Sequence, residues 1–260
     1  MARVSHLHAT AARARPIVQR LWAAAMLCIL PLSSGALADT PASFSSAKRL
    51  ASRIYQSHPV TFYCGCPIQS YQKKLIPDLR SCGYHARKQM TRASRVEWEH
   101  VVPAWAFGHQ LQCWQKGGRR ECRRHSTLFR HMEADLFNLV PAVGEINGDR
   151  SNFRFGVLPQ VPDMYGECDF KVDFKSRIAE PPEERRGMIA RIYLYMADHY
   201  PFSLSRQQRK LYQAWSRLYP VTQWELQRNR LIRAIQGWGN AYVVRAAGQR
   251  ANPDAGRPAA

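Results

Sequence analysis

The sequence predicts an α+β fold in a single domain. Strand-like segments lie in its first two-thirds, helical stripes fill its last third, and an even number of cysteines remains once an N-terminal leader is set aside. That leader comes first. Residues 1–20 hold Arg3, Arg13, Arg15 and Arg20 with no acid, followed by the apolar run "LWAAAMLCILPL" and the small-residue stretch "SSGALA". A basic region, a short apolar region and an A-x-A site describe a secretory signal peptide over residues 1–38, cut after Ala38. The apolar run is too short for a lasting span, so no membrane span is expected in the mature chain. The expected organisation is leader 1–38, a domain over 39–245, and a disordered Pro-, Gly- and Ala-rich tail over 246–260.

The formal charge of the whole chain is +19. The leader removes four arginines and no acid, leaving +15 on the mature domain. A domain this basic attracts polyanions such as nucleic acid or an anionic membrane surface. Six cysteines remain: Cys64, Cys66, Cys82, Cys113, Cys122 and Cys168. In an oxidising compartment they read as disulfides, with fifteen connectivities open. Cys64-x-Cys66 near His85 lacks the spacing of a zinc site. Cys113 with Cys122 is expected to close the "KGGRRECRR" segment, read as a stapled loop carrying Arg119; Cys66–Cys82 and Cys64–Cys168 complete the expected set.

Along the chain, Ala47, Leu50, Ala51, Ile54 and Tyr55 recur at helical spacing before Pro59. Residues 60–64, "VTFYC", read as a strand and "CGC" as a tight turn. Residues 138–156 hold a short strand, a helix starting near Pro141, and a Gly-Asp turn. "PPEERRG" reads as a solvated turn. The last third carries the stripes Ile189, Ile192, Tyr193, Met196 and Leu211, Trp215, Leu218, read as core. Thr222 and Glu225 form a capping box ahead of Trp224, Leu231 and Ile235, with Gly237 as the stop.

The stretch "EWEHVVP" (97–103) places two carboxylates and a histidine before a Val-Val-Pro exit. As an edge strand it would carry ordinary solvated charges, and Glu97 is given only that role. As chemistry it offers more. Hydrolysis of a phosphodiester needs an activated water, neutralised phosphate charge and a stabilised leaving oxygen. A neutral imidazole can accept the proton, one Mg²⁺ on hard oxygen ligands can do the rest, and an arginine fork adds a phosphate donor. Glu99 and His100 supply ligand and base, Asn147 or Asp149 a second oxygen ligand, and Arg119 or Arg120 the fork. Adjacent strand residues face opposite sides, so Glu99 and His100 are expected to share a phosphate only where regular pleating breaks before Pro103.

The segments "EWEHVVPAWAFGHQLQCW", "DLFNLVPAVGEINGDRSNFRFG" and "KVDFKSRIAEPPEERRGMIARIYLYM" resemble the endonuclease I family of periplasmic and secreted non-specific nucleases, over about Phe44 to Val243. The resemblance implies a mixed α/β domain stapled by disulfides, with a ββα-metal (His-Me finger) motif around one divalent ion. It puts the general base on His100, the metal ligands on Glu99 and Asn147, the phosphate-stabilising arginine on Arg119 and a structural asparagine on Asn138. It implies one Mg²⁺, a site Mn²⁺ or Ca²⁺ can also occupy. DNA and RNA would be substrates through phosphate contacts, giving 5′-phosphorylated oligonucleotides from a monomeric, periplasmic or secreted enzyme. Family members with a further C-terminal cysteine pair differ from this chain there. Two other readings compete: a basic nucleic-acid-binding protein without catalysis, and a zinc hydrolase built from His100 with His109, His125 or His131, which are otherwise surface or nucleic-acid contacts.

Overall fold

The computed structural model describes residues 41–251, Lys73 excepted, together with Met1; the leader, and the tail beyond Ala251, lie outside the described residues. The domain opens with α1 (Phe44–Ile54), whose start is fixed by Ser43, a capping residue that accepts from Ser46 N while Ser46 returns a bond. Ala47, Ala51 and Ile54 face the core. The hairpin β1 (Ile68–Tyr71) and β2 (Lys74–Pro77) and the short α2 (Met90–Ala93) precede β3 (Val96–His100). Three helices follow, α3 (Ala104–Gly108), α4 (Gln112–His125) and α5 (Thr127–Ala134), before β4 (Leu139–Val143) returns to pair antiparallel with β3, Val96 opposite Val143 and His100 opposite Leu139.

Without any intervening loop, β4 passes into α6 (Gly144–Arg150). At Gly144 a Cβ would lie 2.3 Å from the Arg92 carbonyl oxygen, so only glycine lets α6 start against α2. The unit β3–β4–α6 is the ββα arrangement, set inside a mixed α/β domain. A three-stranded sheet in the order β5 (Arg154–Phe155), β7 (Ile178–Glu180), β6 (Lys171–Asp173) lies beyond it. Four helices complete the described residues: α7 (Glu183–His199), α8 (Arg206–Leu218), α9 (Gln223–Gln236) and α10 (Ala241–Ala251). Residues Arg186 to Met196 of α7 are buried without a break, as expected of a central helix.

Disulfides join Cys64 to Cys168, Cys66 to Cys82 and Cys113 to Cys122, the three pairs named from the sequence. Among the described residues, no helix is long and apolar enough to cross a membrane.

Several local expectations are corrected. Residues 60–64 form no strand; Val60 makes one isolated bridge to Pro67 and the chain then turns, because Gly65 N bonds back to Thr61 O. The "KGGRRECRR" segment is helical on both sides of a kink at Gly117 and Gly118, where Gly118 takes φ +63°. The helix expected near Pro141 starts at Gly144, and Gly148-Asp149 is helical rather than a turn. "PPEERRG" is the start of α7, with Arg186 buried against Glu180. Leu218 is 71% exposed and leaves the core stripe. Thr222 does cap α9, but Glu225 turns to Arg191 instead of closing the box. The inward face of α9 is correspondingly polar, with Arg228 donating to the carbonyls of Leu136, Phe137 and Leu139. Helix α10 reaches Ala251, so the first residues of the expected tail are helical.

Candidate active site

A cleft of about 360 Å³ opens over the end of β3, lined among others by Glu99, His100, Arg119, Asn147 and Arg150. The ladder stays in register through His100 opposite Leu139, so no break in pleating is needed. The cleft instead wraps the strand end: Glu99 faces α6, while His100 faces α1 and the α4–α5 pair. Asn138 holds that strand end. It donates to Val102 O and accepts from Val102 N (2.9 and 2.7 Å), fully buried.

The His100 Nε2–H donates to the Glu133 carbonyl at 2.8 Å. A carbonyl only accepts, so the proton is fixed on Nε2 and the lone pair lies on Nδ1. Among the described residues no protein donor takes that lone pair. Burial, helped by the Arg119 charge, pushes the imidazole down to about 4; His100 is therefore neutral at physiological pH. The Glu133 side chain anchors two arginines, accepting from Arg119 Nε (2.6 Å) and Arg123 Nε (2.9 and 2.8 Å). Burial works against its charge, but Arg123 and Arg119 hold its carboxyl below the usual range. Arg119 meets the carboxylate through Nε, and its guanidinium lines the cleft; Arg120 is exposed and does not line it.

Glu99 is buried, and its Oε1 takes both Tyr63 OH (3.2 Å) and Arg150 Nη1 (2.9 Å). Oε2 takes no protein hydrogen bond and is not sealed from solvent. Burial raises the carboxyl to about 7 against the pull of Arg150. Burial also opposes the Arg150 charge, but Glu99, 2.9 Å away, and neighbouring tyrosines raise that guanidinium above its ordinary value. Arg150 further donates to the His100 carbonyl, the Val101 carbonyl and Tyr193 OH. Asn147 donates through Nδ2 to Glu97 Oε2 (2.8 Å), which turns its Oδ1 away from that bond and leaves it without a protein donor. Glu97 is itself clamped by Arg92 and Arg95, which outweigh burial and hold its carboxyl low.

The cleft thus presents two uncommitted oxygens, Glu99 Oε2 and Asn147 Oδ1, one uncommitted imidazole nitrogen and the Arg119 guanidinium, beside Arg92 and Arg150, which are held by Glu97 and Glu99. Two hard oxygen donors fit a small divalent cation that keeps most of its coordination for water and substrate. Among the described residues no group of three or more His, Cys, Asp or Glu could hold a metal. None of the other three histidines considered for a zinc site lines the cleft: His109 Nδ1 meets Trp105 O, His125 pairs with Glu121, and His131 is exposed. Asp149, the alternative to Asn147, has both oxygens engaged by Arg87 and Tyr165.

The sequence profile described as Endonuclease I matches residues 43–247. This chain belongs to the endonuclease I family. Among its relatives, an "Extracellular deoxyribonuclease" of Aeromonas hydrophila is 55% identical, covering 84% of this chain and 95% of the relative. A "Periplasmic deoxyribonuclease" of the same organism is 51% identical, over 84% and 94%. "Endonuclease-1" of Buchnera aphidicola subsp. Acyrthosiphon pisum is 52% identical, over 78% and 81%.

Within this endonuclease I chain, sequence reasoning missed three residues of the site. Glu97 orients Asn147, and the signal was present, since residues i and i+2 of a strand share a face and Glu97 lies on the Glu99 side. Arg150 follows Asn147 by three, on the same helix face. Glu133 had no local signal; only the return of the chain through α5 brings it beneath His100.

Proposed function

We propose that this chain is an exported, sequence-non-specific endonuclease that hydrolyses phosphodiester bonds of DNA and of RNA with one Mg²⁺ and His100 as general base. One observation carries this reading. The His100 Nε2–H is tied to a backbone carbonyl, so its free Nδ1 opens on the same cleft as two oxygens without donors and an arginine.

In this reading a water on His100 Nδ1 gives up its proton as it attacks phosphorus. The negative diester beside the ring favours the imidazolium that results, and the Glu133 carbonyl keeps the Nε2 proton bonded throughout. Arg119, oriented by Glu133, donates to a non-bridging phosphate oxygen. Glu99 and Asn147 would hold the Mg²⁺, which when bound supplies positive charge for the phosphate and the departing oxygen. The 3′ oxygen leaves, and the products carry 5′-phosphates. Contacts to phosphate rather than base edges account for the lack of sequence preference. Export through the residue 1–38 leader to the periplasm or medium, action as a monomer, and tolerance of Mn²⁺ or Ca²⁺ at the site complete the proposal. The basic charge and the extracellular and periplasmic relatives support it.

The test is purified protein on plasmid DNA and on ribosomal RNA, with Mg²⁺ and with EDTA. Mg²⁺-dependent smears whose 5′ ends take labelled phosphate from a kinase only after phosphatase treatment are expected. Binding without cutting under every metal condition would leave the non-catalytic binding protein as the reading.

A further inference from the structure

A second groove, of about 880 Å³, is distinct from the cleft just described. It adjoins it. Pro103 and Ala104 line the cleft and Trp105 lines the groove; Ser151 lines the cleft and Asn152 the groove. At two places, then, consecutive residues of the chain line the two concavities.

Trp105 is 46% exposed, unusual for so large an apolar side chain. One face of its indole lies flat on His109, with centroids 4.0 Å apart and planes 7° apart, and His109 Nδ1 is hydrogen-bonded to Trp105 O. The ring is thus held in place, and its open part lines the groove. Arg154 and Arg177 stand on the other wall, both exposed and, among the described residues, neither with a carboxylate partner. Arg177 holds φ +56°, donates from Nη2 to Asn152 Oδ1 (2.7 Å) and lies 5.2 Å from the Phe153 ring centroid. Gln207 and Gln208 of α8 add amides, and no Asp or Glu lines the groove.

A preset aromatic face, two uncompensated guanidiniums and neutral hydrogen-bonding groups suit a strand whose bases are free to stack. A paired duplex hides its base faces and cannot offer them to an indole. We propose that this groove binds an unpaired stretch of the substrate strand beside the scissile phosphate, with a base on Trp105 and backbone phosphates on Arg154 and Arg177. The inference rests on the nuclease reading of the cleft.

The test compares parent, Trp105→Ala, Trp105→Phe and the Arg154→Gln/Arg177→Gln double variant. Cleavage of oligothymidylate and of a closed duplex is followed with Mg²⁺, and anisotropy of fluorescein-labelled oligothymidylate is followed in EDTA. Trp105→Ala should raise KM and Kd for the single strand about tenfold, with kcat and the duplex KM unchanged, and Trp105→Phe should recover most of the loss. The double variant should flatten the slope of log Kd against log salt by about 1.4, two single-strand phosphate contacts. Equal effects of Trp105→Ala on single strand and duplex, or none on either, would overturn the proposal. If the parent cuts neither substrate, the nuclease reading falls instead, and the anisotropy arm still decides whether the groove takes the strand.

Discussion

Two buried Arg–Glu pairs of almost equal depth serve opposite ends. In the helical layer, Arg191 on α7 meets Glu225 on α9 through both carboxylate oxygens, at 2.7 and 2.6 Å, and spends its remaining nitrogen on the carbonyls of Ser216 and Tyr219. At the cleft, Arg150 meets Glu99 through one oxygen only, at 2.9 Å, and leaves the other open. Residue types and burial are the same; completeness differs. A carboxylate with both oxygens engaged is a fixture of the fold, whereas one with an oxygen to spare can take a ligand. Burial alone does not mark a functional charge.

The sharpest way to isolate the cleft is His100→Ala. The rate at saturating Mg²⁺ should fall by about two to four powers of ten, the scale of a lost general base. DNA affinity, followed by anisotropy, should hardly move. A near-parental rate would remove the base assignment.

Arg191→Met should do the reverse. It leaves Glu225 buried and unpaired, which costs about 3–5 kcal/mol of stability, read as a shift of the urea midpoint. The kinetic constants of the folded fraction at low temperature should stay parental. Altered metal dependence in this variant would break the distinction between the two pairs.

Glu99→Ala should raise the Mg²⁺ concentration needed for half-maximal rate and recover part of its lost activity at high metal. Isothermal titration with Mg²⁺ should show the same weakening without substrate. Glu97→Ala, which frees the Asn147 amide, should raise that concentration about tenfold, at the lower end for a residue that orients a ligand. This replaces the sequence-based expectation that Glu97 changes only stability.

The smallest effect is in pH. His100 in the folded, metal-free protein sits at about 4, below its usual 6.5. Its contribution to stability is full above about 6.5 and is lost as pH falls through about 4. Melting curves in EDTA should therefore lose less on acidification in His100→Ala than in the parent. Glu99, raised to about 7, has the opposite sign: its contribution is full at acid pH and lost as pH rises through 7. Glu99→Gln should melt more flatly on that side.

What could be read in advance divides along physical lines. The helices of the last third were legible because apolar period and caps are local, as at Gly237, where the left-handed stop of α9 needs glycine. Glu99, His100 and Asn147 could be named as candidates because they sit in distinctive stretches, and the fold brings all three to one cleft. Local pattern misjudged residues 60–64, where β-favouring composition met a turn fixed by Gly65, and Leu218, which helical spacing placed inside and the packing leaves outside. It also missed the support around the site. Glu133 and Tyr63 come from segments 33 and 36 residues from their partners, and only the folded chain brings such distances together.

Arg150 carries one last consequence. The same guanidinium that holds Glu99 also reaches Tyr193, within the buried stretch of α7. Ligand geometry at the surface is thereby wired to the tightest part of the interior. Warming that loosens α7 should reach Glu99 at once, while the exposed arginines that attract polyanions are untouched. Such a molecule behaves as a thermal fuse: heated part-way to melting, it would still coat nucleic acid but no longer cut it.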